Sequence, residues 1–308
     1  MTADPVKSTD HERCRVAVVG LGSIGGIIAG SLRAADRHDI IACTRAPIQR
    51  LVVERPQDVI EVTIRVLEAP AAAQTVDWVL LCTKVHQTAS TAPWLARLCG
   101  PGTRVAVLQN GLRPGARLQG LVGPAVVVPT IVYYNGERLG PDRVRFRHAG
   151  EHDLAVEDNA QGAAFVELLR GTPLQVLQSR DFTTLTWRKL LLNAVANPIT
   201  ALTLERQAVF RREDIKALCL AVLQEAAAVG RAEGAQLAAD TPQQMLATLL
   251  TYPPDAGTSM YFDRLAGRAL EVEALTGAIV AAGEQHAVPT PLNGMALALL
   301  RAISDAAR

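Results

Sequence analysis

The stretch that decides the fold joins a short apolar run to a set of spaced glycines: Arg15-Val16-Ala17-Val18-Val19-Gly20-Leu21-Gly22-Ser23-Ile24-Gly25-Gly26. Its residue types follow the order of a buried strand, a tight turn and a helix, with the spacing Gly-x-Gly-x-x-Gly. In this arrangement Gly20 permits the turn, Gly22 lets the backbone approach a pyrophosphate, and Gly25 lets the helix pack closely on the strand. The N–H groups at the helix N-terminus also attract phosphate. We therefore predict a dinucleotide site formed by Gly20, Leu21, Gly22, Ser23, Ile24 and Gly25.

The strand that follows this helix bears on the choice of dinucleotide. It is predicted over residues 39–44, and in dinucleotide-binding folds an acidic residue at its end contacts the ribose hydroxyls of NAD. Here the strand ends in Cys43-Thr44-Arg45, without a carboxylate. The guanidinium of Arg45 can pair with a 2′-phosphate through its planar set of donors. The sequence therefore favours NADP over NAD, the alternative being that Arg45 is a solvated surface residue.

Two later strand ends carry polar residues. Strands are predicted over residues 59–67, 78–83 and 105–108, with a helix over residues 87–98. Lys84 follows the second of these strands and Asn110 follows the third, so both lie at carboxyl ends, where open α/β sheets bind ligands. Either residue alone is compatible with an ordinary loop. Their recurrence at equivalent strand ends indicates a ligand site.

The rest of the chain divides into a strand-containing part and a helical part. Residues 126–128, 144–147 and 153–156 predict an antiparallel extension of the sheet, followed by a helix over residues 160–169 and a strand over residues 174–178. Beyond Asp181, apolar residues recur at helical spacing over residues 185–202, 215–228, 245–250, 261–282 and 292–303. We predict an α/β N-terminal Rossmann-type dinucleotide-binding domain over residues 13–180 and an all-α C-terminal substrate and dimerisation domain over residues 181–308.

Composition excludes several classes of protein. The chain has 308 residues, 49% of them apolar and 20% charged, and a net charge of +1, so it offers no electrostatic case for a nucleic-acid or membrane partner. No apolar run reaches the length of a membrane-spanning helix, and residues 1–12 lack the apolar core of a signal peptide. The five cysteines include no Cys-x-x-Cys pair, which is typical of a reducing compartment. We interpret residues 1–12 as a flexible tail, and we expect a cytoplasmic protein without a metal site.

The first helix of the second half carries a polar stripe formed by Lys189, Asn193 and Asn197. A spacing of four residues places these side chains on one helix face. Asparagine is a poor helix former, so two of them in register inside an apolar helix indicate a face that hydrogen-bonds a ligand. For Asn197 alone, capping before Pro198 is the alternative. A lysine partly removed from water holds its proton less tightly, which suits a general acid near neutral pH.

A later segment, Ser259-Met260-Tyr261-Phe262-Asp263, begins another predicted helix, and Glu271 follows on the same apolar pattern. By itself, Ser259 is most simply an N-cap and Glu271 a solvated helix residue. Their own surroundings in the sequence assign no chemistry to either residue.

Taken together, these landmarks resemble the ketopantoate reductase (2-dehydropantoate 2-reductase) family over nearly the whole chain from about Arg15. They occur in family order: Gly20-x-Gly22-x-x-Gly25, Thr83-Lys84, Gln109-Asn110-Gly111, Trp187-Arg188-Lys189-Leu190, Asn193, Asn197-Pro198, Ser259-Met260, Asp263 and Glu271. The Trp-Arg-Lys-Leu segment with its two asparagines is the most specific feature, because glycine loops occur in many folds.

The resemblance implies a cleft between the two domains where NADPH gives a hydride to the ketone carbon of a 2-oxo acid. The expected reaction converts 2-dehydropantoate (ketopantoate) to pantoate in pantothenate biosynthesis. It further implies that Lys189 is the general acid, that Glu271 helps to position the lysine and the cofactor, and that Lys84 lies near the cofactor. Asn110 would lie between the nicotinamide and the substrate. The implied substrate-binding residues are Asn110, Lys189, Asn193, Asn197 and Ser259. We expect a small-molecule 2-oxo acid as the partner and allow for a homodimer.

One position departs from the family pattern. Members often carry an asparagine ten residues after the second helix asparagine as a substrate contact, and this chain has Gln207 there. A longer amide reshapes the pocket, so a same-fold reductase of another branched or aromatic 2-oxo acid remains an alternative, to which Tyr133 and Tyr134 also point. A non-catalytic nucleotide-binding regulator is a second alternative, disfavoured by the presence of the candidate acid.

Overall fold

The computed structural model of the chain describes residues 13–45 and 47–306, so the tail expected over residues 1–12 lies outside the described residues. The strands, in chain order, are β1 (Arg15–Val19), β2 (Asp39–Cys43), β3 (Arg50–Glu54), β4 (Val59–Thr63), β5 (Arg65–Leu67), β6 (Trp78–Leu81), β7 (Arg104–Val107), β8 (Val126–Pro129), β9 (Ile131–Val132), β10 (Asn135–Arg138), β11 (Arg143–Arg147), β12 (Leu154–Glu157) and β13 (Val176–Ser179). The α-helices are α1 (Ser23–Ala35), α2 (Ala92–Leu98), α3 (Pro114–Leu118), α4 (Ala160–Leu168), α5 (Phe182–Thr203), α6 (Glu213–Ala232), α7 (Thr241–Leu250), α8 (Ser259–Leu265), α9 (Thr276–Gln285) and α10 (Pro291–Asp305).

The first half is organised on a parallel sheet with the strand order β5-β2-β1-β6-β7-β8. After β1, the chain adds β2 and β5 on one side of this strand and then β6, β7 and β8 on its other side. Because the strands are parallel, the carboxyl ends of β1, β6 and β7 lie at one edge of the sheet. Strands covered on both faces need apolar residues on both, and β6 is buried at every position. This edge is the place where such sheets bind ligands.

The expected antiparallel extension of the sheet is wrong. Strand β8 pairs in parallel with β7, because the crossover through α3 returns the chain to the same edge. The remaining strands form two separate small sheets with the orders β10-β11-β3-β4 and β13-β12-β9. The first of these packs on α1, where a Cβ on Gly26 would lie 2.9 Å from Val144 and one on Gly30 would lie 2.5 Å from Val53.

Two element boundaries in this half also differ from the prediction. The strand expected over residues 59–67 is divided at Ile64, because β4 pairs with β3 while β5 pairs with β2 in the main sheet. The helix expected over residues 87–98 begins as a 3-10 helix, Val85–Thr91, and becomes α-helical only at Ala92. Pro93 lies in the first turn of α2, the helix position that proline favours.

The second half consists of helices around α5. Its core includes Trp187, Leu191 and Val195 from α5 together with Leu223 from α6 and Leu300 from α10. The predicted fold class, a parallel α/β half followed by an all-α half, is confirmed. In the residues that the structure describes, no helix is both long enough and apolar enough to span a bilayer.

The continuous helix expected over residues 261–282 is wrong. Helix α8 ends at Leu265, and Gly267 adopts a left-handed conformation with a φ of +60°. The N–H of Arg268 donates to the carbonyl of Asp263 at 2.9 Å, and the N–H of Gly267 donates to Arg264 at 3.0 Å. This pair of bonds is a Schellman motif, which terminates a helix. Glu271 therefore lies in a loop between α8 and α9, not on a solvated helix face.

Candidate functional site

The glycine loop joins β1 to α1, and at two of its positions protein atoms occupy the space that a side chain would need. Gly20 has a φ of +94°, and a Cβ there would lie 2.7 Å from Cγ2 of Thr83. A Cβ on Gly25 would lie 1.9 Å from the carbonyl oxygen of Gly20. Gly22 differs, because it precedes α1 without a side-chain cap and a Cβ there meets no described atom within 4 Å. The open space at Gly22 and the uncapped N–H groups of α1 fit a phosphate.

The other residues of the loop support its shape. Leu21 is buried in the core, and Ser23 and Ile24 begin α1. The hydroxyl of Tyr134 donates to the carbonyl of Ile24 at 3.0 Å, and burial raises the pKa of this tyrosine well above its usual value. Tyr134 therefore anchors the start of α1 and does not line the cleft described below. Tyr133 is partly buried, and its pKa is raised by burial.

Arg45 lies beside this loop, two residues beyond β2. The N–H of Gly20 donates to the carbonyl of Cys43 at 3.1 Å, which brings the end of β2 against the loop. Arg45 itself is exposed. An exposed guanidinium at this strand end fits a phosphate on the adenine ribose better than it fits free ribose hydroxyls.

The ends of β6 and β7 are held together by Gln109. Its Nε2 donates to the carbonyl of Thr83 at 3.0 Å and to Oγ1 of Thr88 at 3.0 Å. The loop after β7 also approaches the helical half, because Gly111 has a φ of +96° and a Cβ there would lie 2.4 Å from the carbonyl oxygen of Ala274. Lys84 and Asn110 therefore lie after neighbouring strands, and the loop that carries Asn110 contacts the helical half.

Glu271, in the helical half, binds groups of the α/β half. Its side chain is 6% exposed and accepts hydrogen bonds from the N–H of Val85 at 2.9 Å, from Nζ of Lys84 at 3.3 Å and from Nδ2 of Asn110 at 3.5 Å. Nζ of Lys84 also donates to Oδ2 of Asp263 at 3.0 Å. Burial opposes the charge on Lys84, but Glu271 and Asp263 outweigh it, and the pKa of the lysine is raised.

Lys189 faces this cluster from α5. Its Nζ donates to Oδ1 of Asn110 at 3.0 Å, so Asn110 contacts both the lysine and Glu271. Burial lowers the pKa of Lys189 to about 8, while the negative charge of Glu271 raises it. An ammonium with a pKa near 8 is protonated at neutral pH and gives up its proton readily, which are the properties of a general acid.

The polar stripe of α5 continues through Asn193 and Asn197. Nδ2 of Asn197 donates to Oδ1 of Asn193 at 3.2 Å. Asn197 is buried, whereas Asn193 is only partly buried. Pro198 lies inside α5, which runs on to Thr203, so Asn197 does not cap a helix end. The capping alternative for Asn197 is therefore wrong.

A cleft lies between the sheet edge and α5, with a cavity volume of about 40 Å³. Asn110, Lys189 and Asn193 are among the residues that line it. The remaining lining is mainly apolar or uncharged: Val107, Gln109, Gly111, Pro114, Pro129, Thr130, Ile131, Phe182, Thr186 and Leu190.

Several residues that the sequence singled out do not line this cleft, namely Lys84, Asn197, Ser259, Gln207 and Glu271. Ser259 is exposed at the first position of α8, and the preceding Thr258 is the N-cap, because its side chain accepts from the N–H of Tyr261. Gln207 is 7% exposed, and its buried Oε1 lacks a partner among the described residues. The structure therefore joins Lys84, Asn110, Lys189 and Glu271 in one hydrogen-bonded cluster, and of these Asn110 and Lys189 line the cleft together with Asn193.

Sequence reasoning gave no role to Asp263, Gln109 or Phe182. Asp263 holds Lys84, Gln109 joins two strand ends, and Phe182 lines the cleft. A signal for Phe182 was present, because it lies seven residues before Lys189, a spacing that returns to the same helix face. Asp263 also pairs with the nearby Arg268 at 3.0 Å, but Lys84 lies 179 residues from Asp263 and Thr83 lies 26 residues from Gln109, so no local pattern indicates these contacts.

The chain was compared with known proteins. Residues 16–161 match the family model described as ketopantoate reductase PanE/ApbA, and residues 181–304 match its C-terminal model. A 2-dehydropantoate 2-reductase of Caulobacter vibrioides is 38% identical over 93% of this chain and 98% of its own length. A ketopantoate reductase structure from Ralstonia eutropha is 30% identical, covers 94% of this chain and 98% of its own, and superposes with a TM-score of 0.84. A dimeric ketopantoate reductase from Staphylococcus aureus is 26% identical, covers 96% of this chain and 100% of its own, and has a TM-score of 0.83.

Proposed function

The chain belongs to the ketopantoate reductase family, and from that membership we propose that it reduces 2-dehydropantoate to pantoate with NADPH. The observation that supports this most is the ammonium of Lys189, held by Asn110 at one end of a cleft beside the sheet edge. Pantoate formation is a step of pantothenate biosynthesis, so the proposal also assigns this chain a biosynthetic role.

Lys189 carries the proton of the reaction in this proposal. Reduction of a ketone puts negative charge on its oxygen, and a nearby ammonium stabilises that charge as it develops. Nζ then transfers its proton to this oxygen, which completes the hydroxyl group. Glu271 supports the step electrostatically, because its negative charge keeps Lys189 protonated at neutral pH.

Residues on both sides of the cleft would hold the reactants. The loop from Gly20 to Gly25 would bind the pyrophosphate of NADPH, and Arg45 its 2′-phosphate. When bound there, NADPH supplies the hydride that goes to the ketone carbon. Asn193 and Asn197 would bind the polar groups of the substrate, together with Asn110 and Ser259. Asn197 and Ser259 both lie outside the cleft lining.

The test is a direct measurement of turnover. Oxidation of NADPH and of NADH is followed at 340 nm with 2-dehydropantoate and with a panel of branched and aromatic 2-oxo acids. We expect rapid turnover of 2-dehydropantoate with a preference for NADPH. Lys189→Ala should lower kcat by about 100- to 10,000-fold, and Lys216→Ala, at an ion pair with Glu213 on α6, serves as the control.

Other outcomes would replace parts of the proposal. Turnover confined to another 2-oxo acid would keep the mechanism and change the substrate, and Gln207, which departs from the family pattern, would be the first position to examine. Tight NADPH binding without any turnover would instead support a nucleotide-binding regulator.

We propose that the protein is a homodimer in the cytoplasm. The Staphylococcus aureus relative is described as dimeric, and helices α8 and α10 expose Phe262, Leu265, Met295 and Leu299. The free thiols of Cys43, Cys82, Cys99 and Cys219 fit a reducing compartment. Light scattering after size exclusion tests the dimer, and a monomeric mass at micromolar concentration would contradict it.

A further inference from the structure

The loop between β7 and α3 carries Asn110 and contains two residues with left-handed backbone. Gly111 has a φ of +96°, which a glycine adopts readily. Arg113 has a φ of +50° and a ψ of +53°, a conformation that residues with a Cβ rarely adopt. Such a residue persists only where its surroundings hold it, and these positions cluster at functional sites.

The contacts that hold Arg113 come from the helical half. Nη1 donates to Oε1 of Gln285 at 2.8 Å, and Nη2 donates to Oε1 of Glu233 at 2.5 Å. Glu233 follows α6 and its side chain is 13% exposed. Burial raises the pKa of this carboxyl, but the hydrogen bonds from Arg113 and His286 outweigh burial and lower it. Arg113 is therefore paired with a carboxylate that is mostly removed from water.

A second arginine holds the same loop from its own half. Nη1 of Arg117, on α3, donates to the carbonyl of Leu112 at 3.1 Å, and the N–H of Arg117 donates to the carbonyl of Arg113 at 3.3 Å. The loop is thus fixed at Leu112 to the α/β half and at Arg113 to the helical half. Asn110, which contacts Lys189, lies between β7 and these two anchors.

We propose that Arg113 is a positioning residue for the reaction: its link to Glu233 and Gln285 fastens the Asn110 loop to the helical half, and so sets Asn110 against Lys189. The inference rests on the proposed function. Arg113 lies outside the cleft lining and acts through the backbone of the loop.

A positioning role predicts that loss of the link changes the rate of the reaction but not the stability of the protein. The side chain of Arg113 is half exposed, so water screens its charge, and the less exposed Glu233 keeps His286 as a second partner when Arg113 is removed. A small displacement of a catalytic group, in contrast, strongly lowers a rate. Loss of the link should therefore lower kcat while leaving the melting temperature and the KM for NADPH nearly unchanged.

The experiment compares variants of the full chain. Arg113→Gly removes the side chain and tolerates the left-handed backbone, so it tests the link alone. Arg113→Lys keeps a cation for Glu233, and Glu233→Gln removes the charge on the other side. Arg212→Gly is the matched control, because Arg212 forms an exposed ion pair with Asp214.

We expect Arg113→Gly to lower kcat by about ten- to a hundredfold, with the KM for NADPH within about twofold of wild type. Arg113→Lys should recover most of that loss. Glu233→Gln should act in the same direction, and the double variant should lose no more than Arg113→Gly does, because both changes break one link. A kcat for Arg113→Gly within about twofold of wild type, or independent losses in the double variant, would overturn the proposal.

A second readout separates this inference from the proposed function. An inactive wild-type protein would reject the function and leave the loop to be measured directly by amide hydrogen exchange. The amides of residues 109–113 should exchange faster in Arg113→Gly than in wild type, because the loop loses its anchor. Equal exchange in the two proteins would overturn the role of Arg113, whatever the activity.

Discussion

At the scale of single residues, the site depends on the charge balance around Lys189. Burial lowers the pKa of its ammonium to about 8, and Glu271 opposes that effect. Glu271 itself is shared with Lys84, Val85 and Asn110, so one carboxylate of the helical half orders groups at two strand ends of the α/β half. The pKa of the proposed acid therefore reflects burial first and, in the opposite direction, the charge of a residue from a distant part of the chain.

This balance predicts a pH dependence. The protonated lysine is the active form, so kcat/KM for 2-dehydropantoate should fall as the pH rises through about 8. Glu271→Gln removes the negative charge that raises this pKa, and the descending limb should therefore move to lower pH. Rate profiles between about pH 6 and pH 10 test this, with the exposed Glu213→Gln as control. A limb that stays in place or moves upward in Glu271→Gln would contradict the assignment.

A second residue-scale prediction concerns Arg45. Arg45→Ala should raise the KM for NADPH far more than that for NADH, because only NADPH carries the 2′-phosphate. Initial rates with each cofactor give both constants. Arg211→Ala, an exposed arginine in the helical half, should change neither. Equal effects of Arg45→Ala on the two cofactors would remove the phosphate contact from the proposal.

At the scale of elements, the glycines at the junction of β1 and α1 differ in the space around them. Gly20 and Gly25 have protein atoms where a Cβ would lie, whereas the space at Gly22 is open. The same motif therefore contains glycines required by the fold and a glycine that leaves room for a ligand.

This difference predicts opposite behaviour of two glycine variants. Gly25→Ala should fail to fold or should melt at a much lower temperature, since its Cβ would lie 1.9 Å from the carbonyl oxygen of Gly20. Gly22→Ala should melt near the wild-type temperature but bind NADPH at least about tenfold more weakly. Thermal unfolding and fluorescence titration measure the two effects, with Gly102→Ala as control because a Cβ there is unobstructed. Wild-type affinity in Gly22→Ala would show that no ligand approaches this backbone.

At the scale of the whole molecule, the two halves are joined by polar contacts that include the site itself. Lys84 from the α/β half pairs with Asp263 and Glu271 from the helical half, and Arg113 pairs with Glu233. Asp263 and Glu271 are both buried, so they depend on these partners.

Lys84 therefore contributes to stability as well as to the site. Lys84→Gln removes one cation from two buried carboxylates, of which Asp263 keeps its pair with Arg268 at 3.0 Å, and it should lower the free energy of unfolding by about 1–3 kcal/mol. The lower end of that range is expected, because Lys84 is 38% exposed and water screens the charges. Urea unfolding measures the change, and Lys216→Gln, at an exposed pair on α6, is the control. Equal stability of Lys84→Gln and wild type would mean that the carboxylates find other partners.

Local patterns account for what the sequence determined by itself. The strand–turn–helix order around Gly20 to Gly25, the apolar run before Lys84 and the spacing of Lys189, Asn193 and Asn197 depend on residues close in the chain. Each pattern reflects a local requirement, such as a turn, a buried strand or a helix face, so the α/β half and the helical half were both predicted correctly.

Tertiary structure alone decided which distant groups meet. The pairing of β8 with β7, the division of residues 59–67 between two sheets and the break after α8 depend on hydrogen bonds to partners elsewhere. The same holds for Glu271 between Lys84 and Asn110, and for Arg113 against Glu233. Apolar periodicity indicates which face of an element is buried but not which element packs against it. A charge pair between residues more than a hundred positions apart produces no local pattern in the sequence.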